Sequence, residues 1–161
     1  WINSQYIKKM ELTQLSKFIK KYWNEMGWES PSTEWDLKLT NLIQDSLVLL
    51  KDAIDQSKPF FILSQMKKEG EEFLESKKEV KESLKYILFY LKEANITWVN
   101  KDNAREIINK ITVNHSIKKG ILMKSLRVAF FGCLSGPDLI QSWELFSEKK
   151  IDISLIERCL I

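Results

Sequence analysis

The sequence predicts an all-α fold of about eight helices in two packed helical subdomains, and three observations carry that prediction. Apolar residues recur at spacings of three and four along most of the 161 residues, the period of a buried helix face. Only five Gly and three Pro are present and they sit at apparent joints, which favours helices joined by short loops over a sandwich or barrel. Hydrophobic residues make up 44%, enough for a core and too many for a disordered tail.

Residues 1–10 form a lead-in whose aromatic residues Trp1 and Tyr6 are expected to dock on the part of the chain after it. From Glu11 the residues Leu12, Leu15, Phe18, Ile19, Tyr22 and Met26 fall at helical spacing, with Gly27 as a left-handed cap. Pro31 blocks continuation, Ser32 or Thr33 caps the next helix, and Glu34 and Asp36 lie in its first turn. Leu39, Leu42, Ile43, Leu47, Leu50 and Ile54 then mark one long stripe, so the two helices form an αα-hairpin. Pro59, Phe60 and Phe61 close it with an aromatic plug. Residues 66–76 are dense in Lys and Glu and read as a solvated connector containing one helical turn or more, which puts a subdomain boundary near here.

A strong helix comes next over 77–95, with Val80, Leu84, Ile87, Leu88 and Leu91 inward. Another starts at Asn100 or Asp102 and carries Ala104, Ile107, Ile108 and Ile111. In the stretch GILMKSLRVAFFGCLSGPDLI, residues 120–140, Ile121, Leu122, Leu126, Ala129 and Phe130 face a core, while Lys124, Arg127 and Phe131 share another face. The helix stops at Gly132, and Gly136, Pro137 and Asp138 restart it, with Pro in the first turn and a helix start able to hold a phosphate or a nucleotide edge. Leu139, Trp143 and Phe146 line the new helix, and Asp152 or Ser154 caps a last one with Leu155, Ile156, Cys159 and Leu160 inward. Trp23, Trp98 and Trp143 belong to the core; Trp28 and Trp35 either pack between the hairpin helices or offer a stacking plane.

The formal charge is only +3, from 25 basic and 22 acidic residues, so any nucleic acid is held by local patches and not by a broad field. Cys133 and Cys159 lack metal spacing and read as free thiols of a reducing compartment. No apolar run reaches the roughly 18 residues that span a bilayer and no signal peptide opens the chain, so a cytoplasmic protein that does not enter membranes is expected. Trp1 in place of Met suggests a piece of a longer protein. The one histidine, His115, beside Ser116, has no third group or oxyanion pocket placed by the sequence, so it reads as a capping or surface residue near a helix start, and a small hydrolase is poorly supported.

Gly120, Leu126, Arg127, Ala129, Gly132 and the run Gly136, Pro137, Asp138, Leu139 resemble the C-terminal half of the anticodon-binding region of bacterial-type glutamyl-tRNA synthetases. Trp1, Ile2, Asn3, Tyr6 and Ile7 resemble the segment that closes the stem-contact region just before that family's anticodon-binding helices. The two segments stand in the family's order and at about its separation. The resemblance implies that 1–10 end the stem-contact region and that 11–63 and 64–161 are the first and second helical subdomains of an anticodon-binding cage. It implies a module that positions tRNA(Glu) for ATP-dependent aminoacylation, with the active site, ATP and Mg belonging to an upstream domain and no catalytic, cofactor or metal-binding residue in this stretch. A monomer is expected. The rival reading is a helical protein–protein interaction module that binds no RNA.

Unpaired anticodon bases are read by Arg, Asn or Gln, by exposed backbone groups and by aromatic planes. By resemblance, Arg127 and the turn of Gly136, Pro137 and Leu139 stand where the family contacts the first anticodon bases; the alternative for Arg127 is a pair with Asp138. Gln44 aligns with the position that approaches the third base, where members confined to glutamate tRNAs carry Arg. A neutral amide selects less strictly than a guanidinium, which implies a non-discriminating parent that also charges tRNA(Gln); Gln44 as a plain solvated residue stays open. Lys17, Lys20, Lys21 and Lys124 are candidate phosphate contacts, and a solvated face explains the first three equally well.

Overall fold

A computed structural model describes residues 4–161, and the part of the opening motif at Trp1, Ile2 and Asn3 lies outside the described residues. Among these residues there are ten α-helices and three single-turn 3₁₀ segments, and no strand. They gather into two compact units, one ending at Leu63 and the other running Ser64–Ile161.

The first unit contains α1 (Ser4–Lys9), α2 (Leu12–Glu25), α3 (Thr33–Ile43) and α4 (Asp52–Ser57). Its lead-in is anchored by buried Ile7 and Met10, whereas Tyr6 is 57% exposed. Gly27 ends α2 in a left-handed turn at φ +75°, with Trp28 N–H returning to the Trp23 carbonyl at 2.9 Å. Ser32 caps α3 by accepting from Trp35 N–H at 3.2 Å. The αα-hairpin closes over Trp23, Trp35 and Phe61, whose rings meet edge-on or tilted at 5.1–6.2 Å, while Trp28 stacks on Phe61 at 5.0 Å. The aromatic plug is therefore real, and both Trp28 and Trp35 are spent on packing.

The expected long helix over 39–54 breaks. It ends at Ile43, passes through a 3₁₀ turn (Gln44–Ser46), and resumes as α4 only at Asp52. The reason is local: Ser46 Oγ donates back to the Ile43 carbonyl at 2.7 Å, and the Asp52 carboxylate accepts from the backbone N–H groups of Val48 (3.2 Å) and Leu49 (2.8 Å). Short polar side chains here compete with the helical ladder and win.

The second unit holds α5 (Lys68–Ser76), α6 (Lys78–Glu93), α7 (Lys101–His115), α8 (Lys119–Phe131), α9 (Leu139–Glu148) and α10 (Asp152–Glu157). Helix α8 is the hub, packed against α5, α6, α7, α9 and α10. Residues 66–76 are solvated on their outer face, but they carry a full helix and not a turn or so of connector. Gly70 of α5 lies so close to the end of α8 that a Cβ would sit 2.3 Å from the Gly132 carbonyl oxygen, and Lys67 N–H donates to that same oxygen at 2.9 Å. The inward face of this helix is Gly70 and Leu74, too few apolar positions for its length to be read from spacing.

Asn100 caps α7 in a reciprocal box with Asn103. His115 lies at the end of α7, not near a helix start, and stacks on Tyr86 with ring centroids 3.6 Å apart. Trp143 is fully buried, but Trp98 is 45% exposed and is not core. Phe131 is buried against Phe146, centroids 5.7 Å apart, rather than sharing an open face with Arg127. Asp152 is the buried first residue of α10 and accepts from Trp143 Nε1 at 3.1 Å. Both thiols are free and buried.

Candidate nucleic-acid interface

Arg127 stands on the last turns of α8, whose apolar face is sealed into the hub, and its half-buried guanidinium reaches across the bend beyond Phe131. Nη1 donates to the carbonyls of Gly136 (3.3 Å) and Pro137 (2.8 Å). Among the described residues these are the partners of its fork, and three of its five N–H donors are left for something else. Beside it Ser135, Gly136 and Asp138 are exposed, and Lys124 is exposed one turn earlier on the same helix. A cation oriented by the turn it stands next to keeps its geometry without a ligand.

Helix α9 begins at Leu139, so Pro137 precedes the helix instead of occupying its first turn. Asp138 is the N-cap, its carboxylate accepting from Gln141 N–H at 2.9 Å. That carboxylate already complements the positive helix end and repels a second anion, which removes the expected phosphate seat there. It also leaves Asp138 engaged with its own helix and Arg127 with carbonyls, so the alternative pairing of the two is not formed. Leu139 is 2% exposed; its side chain is core, and only backbone remains to meet a base.

Gln44 sits where α3 gives way to the 3₁₀ turn and is half-buried. Its amide nitrogen donates to the carbonyls of Ile7 and Met10, both at 3.0 Å, and so ties the lead-in to the end of α3. The side-chain oxygen is the part of the amide left over. Lys20 is not a loose surface cation: it bonds buried Asp36 at 2.6 Å and Ser30 Oγ at 3.0 Å. Lys17 and Lys21 are exposed, and Lys21 lies 5.5 Å from the centre of the Phe18 ring. Sequence reasoning took Asp36 for a first-turn acid and missed its pairing with Lys20, because nothing in a spacing of sixteen residues announces it.

A basic groove of about 260 Å³ between α5 and α6 is lined by Lys77, Lys78, Lys81 and Lys85, but Glu75 pairs with Lys81 (2.5 Å) and Glu82 with Lys78 (3.3 Å). Among the described residues no group of three or more His, Cys, Asp or Glu is placed to hold a metal ion. No helix of the described residues is long and apolar enough to cross a membrane.

A guanidinium held open beside an exposed turn, on an all-helical frame, suits recognition of unpaired bases, and the chain belongs to the family described as the anticodon binding domain, which it matches over residues 10–151. It is 94% identical over 159 residues to the glutamate–tRNA ligase of Prochlorococcus marinus subsp. pastoris (strain CCMP1986 / NIES-2087 / MED4), with 99% of this chain and 33% of that protein covered. The glutamate–tRNA ligase of Prochlorococcus marinus (strain MIT 9515) is 77% identical over 161 residues, covering 100% of this chain and 34% of that protein. The chain thus spans about one third of the length of the curated relatives it matches, corresponding to their C-terminal anticodon-binding region. The same fold occurs in the crystal structure of a glutamate tRNA ligase from Elizabethkingia meningosepticum in complex with its amino acid, at TM-score 0.86 and 23% identity over 98% of this chain and 30% of that one.

Proposed function

We propose that this chain is the anticodon-loop recognition module of a glutamate–tRNA ligase, holding tRNA(Glu) so that an upstream ATP-dependent catalytic domain receives the acceptor end during protein biosynthesis in the cytoplasm. The observation that carries this reading is the Arg127 fork, pre-oriented by the Gly136 and Pro137 carbonyls with three donors to spare. Binding energy collected at the anticodon raises the rate for the correct tRNA by favouring productive placement at a distance. Titration of the chain with tRNA(Glu) tests it: binding is salt-sensitive, and Arg127→Ala weakens it about 5- to 150-fold, the worth of one bidentate base contact. Unchanged affinity removes Arg127 from the site, and indifference to tRNA at low salt favours a protein–protein module instead.

We further infer that the parent ligase is non-discriminating and also charges tRNA(Gln). Gln44 spends its amide nitrogen on Ile7 and Met10 and keeps only an acceptor. Glutamate and glutamine anticodons differ at the third base, cytosine against guanine, and both bases carry amino donors. A lone acceptor therefore separates them poorly, whereas an Arg in its place selects the acceptors on cytosine's pairing edge and rejects the N–H donors that guanine presents there. Absence of any glutamate charging of tRNA(Gln) by the full-length parent retires this part of the reading.

A further inference from the structure

The seam between α2 and α3 carries a groove of about 320 Å³, and Lys17, Lys20, Lys21 and Asn24 line it from α2 at the spacing of one helix face. Asp36 and Thr33 line it from α3. Three cations face one carboxylate, so the groove is electropositive. The carboxylate is also unusual: Asp36 is 2% exposed, and its Oδ1 is buried with no hydrogen-bond partner while Oδ2 takes Lys20. Burying a carboxylate with half its capacity unmet weakens the fold, so its place here calls for another use. What it does is immobilise Lys20. An ammonium has three N–H donors; Asp36 and Ser30 take two, and the Lys20 side chain remains 41% exposed.

We propose, resting on the RNA-binding reading above, that this groove seats consecutive phosphodiesters of the bound RNA strand, with Lys20 as a fixed anchor, Lys17 and Lys21 as mobile counter-charges, and Asp36 as a positioning residue. From Lys17 to Asn24 the helix rises roughly 10 Å, so the contact runs along a strand and does not end at one anion. Thr33 and Asn24 supply neutral polar groups at the rim. The contact carries no sequence information; it fixes register while bases are read elsewhere.

The test is tRNA(Glu) binding by the chain across a salt series. Lys17→Gln with Lys21→Gln lowers affinity at low salt and reduces the log–log salt slope by between about one and two, since each phosphate contact contributes roughly 0.7–0.9. Asp36→Asn gives the sharper sign. If Asp36 merely cancels charge, removing it tightens binding; if it holds Lys20 in place, binding weakens several-fold despite the added net charge, and the slope changes with it. The proposal is overturned if the double variant keeps wild-type affinity and slope while Arg127→Ala still weakens binding, an outcome that spares the anticodon reading. Tighter binding by Asp36→Asn overturns the positioning role. Should Asp36→Asn fail to fold, the double variant at exposed positions decides alone. Orthophosphate at matched ionic strength displaces no more RNA than chloride does; preferential displacement would overturn a polymer seat in favour of a free-phosphate one. Failure of the wild-type chain to bind tRNA sinks both readings.

Discussion

Three glycines turn the packing of this chain into a graded measurement, because the same added methyl meets a different surrounding at each. At Gly120, in the first turn of α8, a Cβ has nothing within 4 Å. Gly120→Ala removes freedom from the unfolded chain and improves helix propensity, and should stabilise by about 0.5–1 kcal/mol. Gly27 also has open space, but its φ is +75°, so Gly27→Ala should cost about 1 kcal/mol from the left-handed backbone alone. Gly132 combines φ +74° with a Cβ position 2.2 Å from the Gln65 carbonyl oxygen and 3.2 Å from Met66 Cα. The crossing segment must retreat by roughly 1 Å to restore ordinary contact, which strains the bond from Lys67 N–H to the Gly132 carbonyl. Left-handed strain of about 1–2 kcal/mol plus a weakened buried hydrogen bond put Gly132→Ala at about 3 kcal/mol of destabilisation. In a unit of about a hundred residues each kcal/mol moves Tm by roughly 4–8 °C, so the loss is on the order of 10–20 °C. Thermal melting followed by far-UV circular dichroism reads all three. Equal melting of Gly132→Ala and Gly27→Ala, or destabilisation by Gly120→Ala, would refute the reasoning.

The remaining predictions concern single side chains. Burial pushes the Asp152 carboxyl above its ordinary range, so between the unfolded value near 3.8 and its higher folded value the native state holds more protons and stability falls as pH rises. Asp152→Asn, which keeps an acceptor for Trp143 Nε1, should abolish that slope in acid melts and should not lower Tm at neutral pH; a lower Tm would show that the charge itself is needed. Arg158 donates through Nε and Nη2 to the Ala129 carbonyl and through Nη1 to Ser64, so Arg158→Lys, losing the planar fork, should cost about 1.5–3 kcal/mol in urea unfolding. Asn100→Ala removes a capping box and should cost about 1 kcal/mol in the same assay. Cys159 is 4% exposed and burial raises its thiol pKa, so an alkylating reagent should label it only after denaturant is added; rapid native labelling would contradict the packing of α10.

What the order of residues determined by itself is much of what depends on neighbours within one or two turns. Apolar spacing marked most of the helices and their buried faces, Gly27 marked a left-handed end and Gly132 a stop, and the caps were narrowed to Ser32 or Thr33 and to Asn100 or Asp102, because each of these rests on bonds spanning three or four residues. Local rules failed where a long-range contact or a competing polar side chain outweighed propensity. The Lys/Glu-rich stretch became α5 once Gly70 met Gly132, and the stripe over 39–54 broke under Asp52 and Ser46. The candidate sites were decided almost wholly by tertiary structure. Gln44 lies 34 and 37 residues from the carbonyls it holds, Lys20 lies 16 from Asp36, and Arg127 gains its orientation from carbonyls nine and ten residues on, past a bend. A side chain's chemical type is written in the sequence. Which donors are already spent, and which remain for a ligand, is set only when distant backbone arrives beside it.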